Sequence, residues 1–356
     1  MRNYDYREKW NKLLTPEIIS LLTSIHEYKG EQRLIADCYA DVLTDLVDIA
    51  RIQSTESSNK IEGIYTSDER LKKIVLDKTT PRNRNEQEIA GYRDVLNTIH
   101  ENYDYIPIRS TLLLQLHRDL YRFQGTGAGG AFKNVDNTIE ELDENGKARI
   151  LFQPVAAWET PESVEQLCEA YNQVMKEPDV DLLLIMPMFI LDFLCIHPFR
   201  DGNGRMSRLL TLLFLYQGGY FVGKYISIEK LIERTEDSYY ENLQASSAGW
   251  YEETNDYAPF VKYLLGIVVA SYREFFERTK LITSVKMSKP QRISEEIRNH
   301  IGTITKAELV EQVPDVSQTT VQRTLTELTK QGKIIKLGAG RYIKYRWNWD
   351  QEDEQK

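Results

Sequence analysis

The residues of this chain best equipped for chemistry fall in one short run, His197 to Arg208, reading HPFRDGNGRMSR. Gly202-Asn203-Gly204 precedes an apolar stretch with helical patterning, so it reads as a glycine-rich turn at a helix amino end. Free N–H groups and the helix dipole make such a turn a site for phosphate. The glycines let backbone approach the ligand without a Cβ in the way. Arg205 and Arg208 are spaced i and i+3, which puts both on one side of the first turn. Guanidinium forks match phosphate oxygens in two-point contacts. Asp201 stands at the mouth of this anion site, where a carboxylate could hold Mg²⁺ bridging phosphates. His197 ends the preceding apolar helix, and imidazole is the side chain best suited to accept a proton near neutral pH. Base, metal ligand, anion cradle and two arginines together imply phosphoryl or nucleotidyl transfer. A capping histidine and surface arginines would account for any one of these residues, but not for the set.

The elements that must position this run are mostly helical. Leu43, Leu46, Val47 and Ala50 recur at the spacing of an amphipathic helix. Thr111–Phe123 and Pro161–Met175 behave similarly, the latter with Thr160 as candidate N-cap and Pro161 in the first turn. Leu182–Cys195 is apolar nearly all round and predicts a central buried helix. Met206–Gln217 predicts another, ended by Gly218-Gly219. One stretch breaks the habit. Between Phe132 and Phe152, short β-capable pieces flank Asp143-Glu144-Asn145-Gly146, and Asn-Gly is a strong hairpin turn signal. A single β-hairpin inserted in a helical domain is expected.

The 356 residues carry a net charge of −9 with 41% hydrophobic and 28% charged residues, an ordinary globular composition. The charge is uneven. Residues 286–346 carry +6, the tail 347–356 carries −3 and the body 1–285 carries −12. A basic module after an acidic body suggests different partners for each. The module predicts three helices, the second with a Thr305/Glu308 capping box, followed by a hairpin, GKIIKLGAGRYIKYRW. That order is a winged helix-turn-helix, whose third helix would offer Ser317, Gln318, Thr319, Gln322 and Arg323 to DNA or to a protein. Expected boundaries are a helical N-terminal region 1–100, a core 101–285, the module 286–347 with SVKMSKPQ as linker, and an acidic tail 348–356. No apolar run is long enough to span a membrane, and the polar start MRNYDYREKWNK is unlike a signal peptide. Cys38, Cys168 and Cys195 are far apart and odd in number, which argues against a disulfide framework and suits a reducing cytoplasm.

The run His197–Arg208 resembles the signature of the Fic family, HxFx(D/E)GNGRxxR, at every fixed position. The resemblance implies a mainly α fold: a Fic-type helical core with the motif loop between two central helices and a β-hairpin flap over the site. It also implies transfer of AMP from ATP to a Ser, Thr or Tyr hydroxyl of a target protein, and to the chain itself. His197 would be the general base and Asp201 the Mg²⁺ ligand. Gly202, Asn203 and Gly204 would hold the α- and β-phosphates with help from Arg205, Arg208 would hold the γ-phosphate, and Phe199 would anchor the loop. Upstream, Ser58-Asn-Lys-Ile-Glu62-Gly63 resembles the family's (S/T)xxxE(G/N) inhibitory motif. This implies that Glu62 pairs with Arg208 and displaces the γ-phosphate. Ser58 and Glu62 are spaced for one helix face, with Gly63 as C′ cap. Tyr239 and Tyr240 resemble tyrosines that line the family's adenine pocket.

Gly125-Thr126-Gly127-Ala128-Gly129-Gly130 formally matches a dinucleotide fingerprint, but it follows a helix rather than a strand, so it reads as the loop into the flap. His100 and His117 sit in helical stretches with no zinc-binding spacing. The alternatives to an autoinhibited AMP-transferase are a DNA-binding regulator with a sensor body, and a Fic enzyme that removes AMP or transfers another nucleotide. The oligomeric state stays open, a homodimer included.

Overall fold

A computed structural model describes residues 2–348 apart from 39, 126, 128, 143–147, 287, 301, 314, 315, 339, 341 and 342. The chain divides into two compact units, Met1–Phe276 and Glu277–Lys356. The first opens with α1 (Pro16–Cys38), α2 (Ala40–Lys60), α3 (Asp68–Val75), α4 (Arg84–Asn102) and α5 (Ser110–Leu120). A hairpin follows, β1 (Ile139–Leu142) and β2 (Ala148–Phe152), then α6 (Thr160–Val174), α7 (Leu182–Ile196), α8 (Asn203–Gln217), α9 (Ile228–Arg234), α10 (Glu236–Ser247) and α11 (Ala258–Lys286), which runs past the unit boundary.

The centre is α7 packed on α8, with α4 against α8 and α6 against α7. Every side chain from Leu183 to Ile196 is buried, as is every one from Arg205 to Tyr216. Each apolar side chain so buried contributes about 1.5–3 kcal/mol relative to leaving it exposed, so the loop between these helices is mounted on the buried centre of the fold. Asp192 is the exception in α7. Its buried carboxylate accepts hydrogen bonds from Tyr6 Oη (2.8 Å), Trp250 Nε1 (2.7 Å) and Tyr257 Oη (2.9 Å), and Arg2 lies 3.6 Å away. The charge is thereby compensated, and the N-terminal segment is tied to the central helix. Cys168 and Cys195 are buried free thiols.

The hairpin is antiparallel, with Ile139 opposite Phe152 and Leu142 opposite Ala148, and a register irregularity after Ile139. The expected turn at 143–146 lies outside the described residues. Two expectations at helix starts need correction. Glu159, not Thr160, occupies the N-cap of α6, and the Thr160 hydroxyl turns back to the Ala156 carbonyl (2.9 Å). Helix α8 begins at Asn203 rather than Met206, because Gly202 at φ 81° starts it directly from the loop.

The second unit holds α12 (Lys289–Asn299), β3 (Ile304–Thr305), α13 (Lys306–Gln312), α14 (Gln318–Lys330), β4 (Ile334–Leu337) and β5 (Lys344–Trp347). Ser288 caps α12 with a capping box, so the chain between α11 and α12 is shorter than the expected linker. The Thr305/Glu308 capping box is present. The strands pair antiparallel in the order β3-β5-β4, one strand more than the expected hairpin. Ile293, Ile297, Leu309, Val321, Leu325 and Trp347 build its core, while Ser317, Gln318, Thr319, Gln322 and Arg323 are exposed. The acidic tail from 349 onward lies outside the described residues. Among the described residues, no helix is long and apolar enough to cross a membrane.

Candidate active site

The motif loop leaves α7 at His197, which adopts the left-handed conformation (φ 51°, ψ 61°). For a residue with a Cβ this costs roughly 1–2 kcal/mol, so the loop needs compensating contacts. Asn203 supplies two: its Oδ1 accepts the Phe199 N–H (2.9 Å) and its Nδ2 donates to the Phe199 carbonyl (2.8 Å). The Phe199 ring is fully buried and stacks on the His117 imidazole, centroids 3.8 Å apart and planes within 4°. His117 Nδ1 accepts the Gly130 N–H (3.0 Å). A neutral ring then carries its proton on Nε2, which donates to the Asp201 carbonyl (3.1 Å). Burial pushes the His117 pKa down to about 4, so it stays neutral as this role requires. His117 thus ties the chain before the hairpin to the motif loop.

Helix α8 starts beneath this loop. The N–H groups of Asn203, Gly204 and Arg205 have no intrahelical acceptor, as in any first turn. Glu62 reaches this end from α2. Helix α2 closes in a Schellman motif, with the Ile64 N–H bonded to the Asn59 carbonyl (2.9 Å), the Gly63 N–H to the Lys60 carbonyl (2.9 Å), and Gly63 at φ 72°. Glu62 is therefore the C-cap residue, just beyond the helix that carries Ser58. Arg208, 3% exposed, donates from Nε to Ser58 Oγ (2.8 Å) and from Nη2 to the Ser58 carbonyl (2.9 Å) and Glu62 Oε1 (2.7 Å). A Cβ built on Gly204 would overlap Glu62 Oε1 and lie 3.2 Å from Arg208 Nη1. The carboxylate occupies the space that the helix amino end makes attractive to an anion.

The two arginines do not share a side. Arg205 is 1% exposed, with Nη1 2.7 Å from Glu88 Oε2 on α4 and Nη2 donating to Tyr121 Oη (2.7 Å). Its guanidinium meets Glu88 and Tyr121 and so anchors α8, while Nε is buried without a hydrogen-bond partner. The Asn203 side chain is spent on Phe199. Asp201 is half-exposed. Its Oδ1 accepts the Gly202 N–H (2.6 Å), and Arg205 Nη2 is 3.8 Å away. Tyr240 is 47% exposed and packs edge-on against Tyr239, which is buried against Phe260 and Tyr263. Both tyrosines are close enough to Arg208 and Glu62 to feel their charges. Tyr240 thus offers a ring on the open side, and Tyr239 supports it.

His197 is half-buried, with Nδ1 buried and unpaired. Burial first, and the Lys133 ammonium second, push its pKa down to about 4. The Leu194 carbonyl, Glu62 and Asp201 pull weakly the other way. A proton on the buried Nδ1 would leave the Nε2 lone pair available. The site therefore holds an unprotonated imidazole at one side of a helix amino end that already cradles a carboxylate.

Sequence patterning missed Lys133, Glu88 and Tyr121 and set His117 aside. Their partners are backbone groups or single side chains distant in the chain, and no local spacing marks them.

The Fic/DOC family model matches residues 107–215. A "Fido domain-containing protein" of Dictyostelium discoideum is 28% identical over 126 residues, covering 34% of this chain and 83% of that protein. A "Protein adenylyltransferase Fic" of Nematostella vectensis is 30% identical over 109 residues, covering 29% of this chain and only 22% of that protein. Among solved structures, a Fic family protein from Desulfovibrio desulfuricans superposes with TM-score 0.59 at 20% identity, over 94% of this chain and 97% of that one. A Fic domain-containing signaling protein from Bacteroides thetaiotaomicron superposes with TM-score 0.58 at 20% identity, over 76% and 98%. These likenesses agree with a motif loop held between two buried helices and tied to a hairpin stem: residues 107–215 of this chain form a Fic/DOC-family domain.

Proposed function

We propose that this chain is a nucleotidyltransferase that moves AMP from ATP onto a protein hydroxyl, and that Glu62 holds it inactive. The observation that carries the reading is the Glu62–Arg208 contact over the amino end of α8, 2.7 Å long. A carboxylate there competes with a phosphate for the same guanidinium and the same amides. In the open state the Asn203 and Gly204 N–H groups and Arg208 would hold the triphosphate, with the Tyr240 ring beside the base. The target hydroxyl gives its proton to His197 Nε2 as its oxygen bonds to the α-phosphorus. The bond from that phosphorus to the bridging oxygen breaks, and pyrophosphate leaves with the electron pair. The donors are fixed before the reaction, so charge stabilisation costs no reorganisation.

Asp201 fits a Mg²⁺ bound chiefly through substrate. Among the described residues no group of three or more His, Cys, Asp or Glu side chains is arranged to hold a metal. A half-exposed carboxylate with one oxygen held by the Gly202 N–H keeps the other for a hard cation, and Mg²⁺ is commonly held by one or two carboxylates plus phosphates. Bound there, the ion would neutralise phosphate charge.

The test is incorporation of radiolabelled AMP by the wild type and Glu62→Gly, each given α-labelled ATP and a cell extract. Label above background in Glu62→Gly supports the transfer, and absence of label in both removes it.

A further inference from the structure

We infer that Lys133 is the positioning residue of the general base: it clamps the carboxyl end of α7 so that His197 is presented in its left-handed conformation with the Nε2 lone pair free. The inference rests on the nucleotidyl-transfer reading and deepens it. Lys133 stands on the segment entering the hairpin and is 5% exposed, an uncommon place for an ammonium. Its Nζ donates to the Ile196 carbonyl (3.1 Å), the last residue of α7, and to Asn137 Oδ1 (2.9 Å). Its own N–H donates to the Pro198 carbonyl (2.9 Å). Lys133 thus holds the carbonyls of the residues before and after His197, and Asn137 Nδ2 reaches the Phe199 carbonyl (3.4 Å).

A cation at a helix carboxyl end also satisfies the helix dipole. Here it has a second consequence. Among the described residues no carboxylate hydrogen-bonds Lys133, and the acid that acts on it is Asp136. With no carboxylate bonded to it, the ammonium charge acts on the imidazole. The charged groups that face His197 are Lys133 from this segment, Glu62 from the end of α2 and Asp201 from its own loop. Lys133 is the one that opposes protonation, and burial lowers its own pKa to about 8, so it remains largely charged at neutral pH.

The experiment is a histidine-labelled NMR titration of the full chain as wild type, Lys133→Met and Lys133→Arg, with His197 assigned by His197→Gln. In Lys133→Met the His197 resonance should titrate higher by about half a unit or more, and Lys133→Arg should restore the wild-type position. In the Glu62→Gly background, Lys133→Met should lower AMP transfer about tenfold or more and move the acid limb of its pH profile upward, with rescue by Lys133→Arg. His197 titrating identically in wild type and Lys133→Met overturns the inference, whatever the activity. Absence of transfer in every variant instead removes the functional reading and leaves the titration comparison intact.

Discussion

Glu62 and a side chain at position 204 exclude one another: beside this carboxylate only the hydrogen of Gly204 fits at the amino end of α8. The Glu62 carboxylate takes Arg208 Nη2 at 2.7 Å while Ser58, one turn earlier, holds the rest of the same guanidinium. Removing the carboxylate should therefore free the anion site without removing the arginine's support. Glu62→Gly is expected to raise AMP incorporation from ATP by about tenfold or more, the shift produced by about 1.4 kcal/mol of lost competition. Scintillation counting of labelled product reads this directly. Equal labelling of wild type and variant removes Glu62 as an inhibitor.

The space above Gly204 is the same space a phosphate would enter. In the Glu62→Gly background, Gly204→Ala should weaken ATP binding by about tenfold or more, because the added methyl lies where the carboxylate oxygen had been. Isothermal titration of the two variants with ATP gives the ratio. Unchanged affinity would mean that the triphosphate sits elsewhere.

How much of this was legible in the chain depends on how far apart the partners are. His197, Asp201, Gly202 and Arg208 are close in sequence, so their spacing alone suggested a phosphate site, and the apolar runs on either side marked α7 and α8. Glu62 is 146 residues from Arg208 and became readable only through a second motif. His117 reaches a carbonyl 84 residues away and Lys133 one 63 residues away. A backbone acceptor leaves no trace in residue type, so these supports could not be read. The surroundings of Arg205 were unreadable for a different reason. Its spacing from Arg208 suggested a shared face, but long side chains from neighbouring positions splay. Glu88 and Tyr121 take one guanidinium while Ser58 and Glu62 take the other.

Acid should destabilise the fold through the histidines that packing keeps neutral. Burial, its largest cause in each case, lowers His100 to about 3 and His117 and His197 to about 4. In the unfolded chain each titrates near 6.5. Above about 6.5 neither state binds the proton, so stability is intact. Below it the unfolded state takes up protons that the folded state refuses, and stability falls by up to about 1.4 kcal/mol per unit for each histidine until the folded values are reached. The melting temperature should drop as pH is lowered from about 6.5 to about 4. His117→Gln should flatten that slope. Scanning calorimetry across this range decides it, and a slope unchanged by His117→Gln would contradict the buried neutral state.

Arg205 and Glu88 supply the sharpest separation of anchoring from ligand binding. Both side chains are almost fully buried, at 1% and 4% exposure, and meet at 2.7 Å. Removing one partner of such a pair strands the other charge in a poorly solvated place, which costs about 3–5 kcal/mol. Glu88→Ala should therefore lower stability by that order. Glu88→Leu combined with Arg205→Leu should recover most of it, because a packed apolar pair is about as favourable as the ion pair. If Arg205 acts only as an anchor, the double variant in the Glu62→Gly background should also bind ATP within about threefold of its parent, a difference under 1 kcal/mol. Denaturant melts and ATP titrations on the same proteins separate the two roles. Recovered stability with lost ATP binding would return Arg205 to the phosphates.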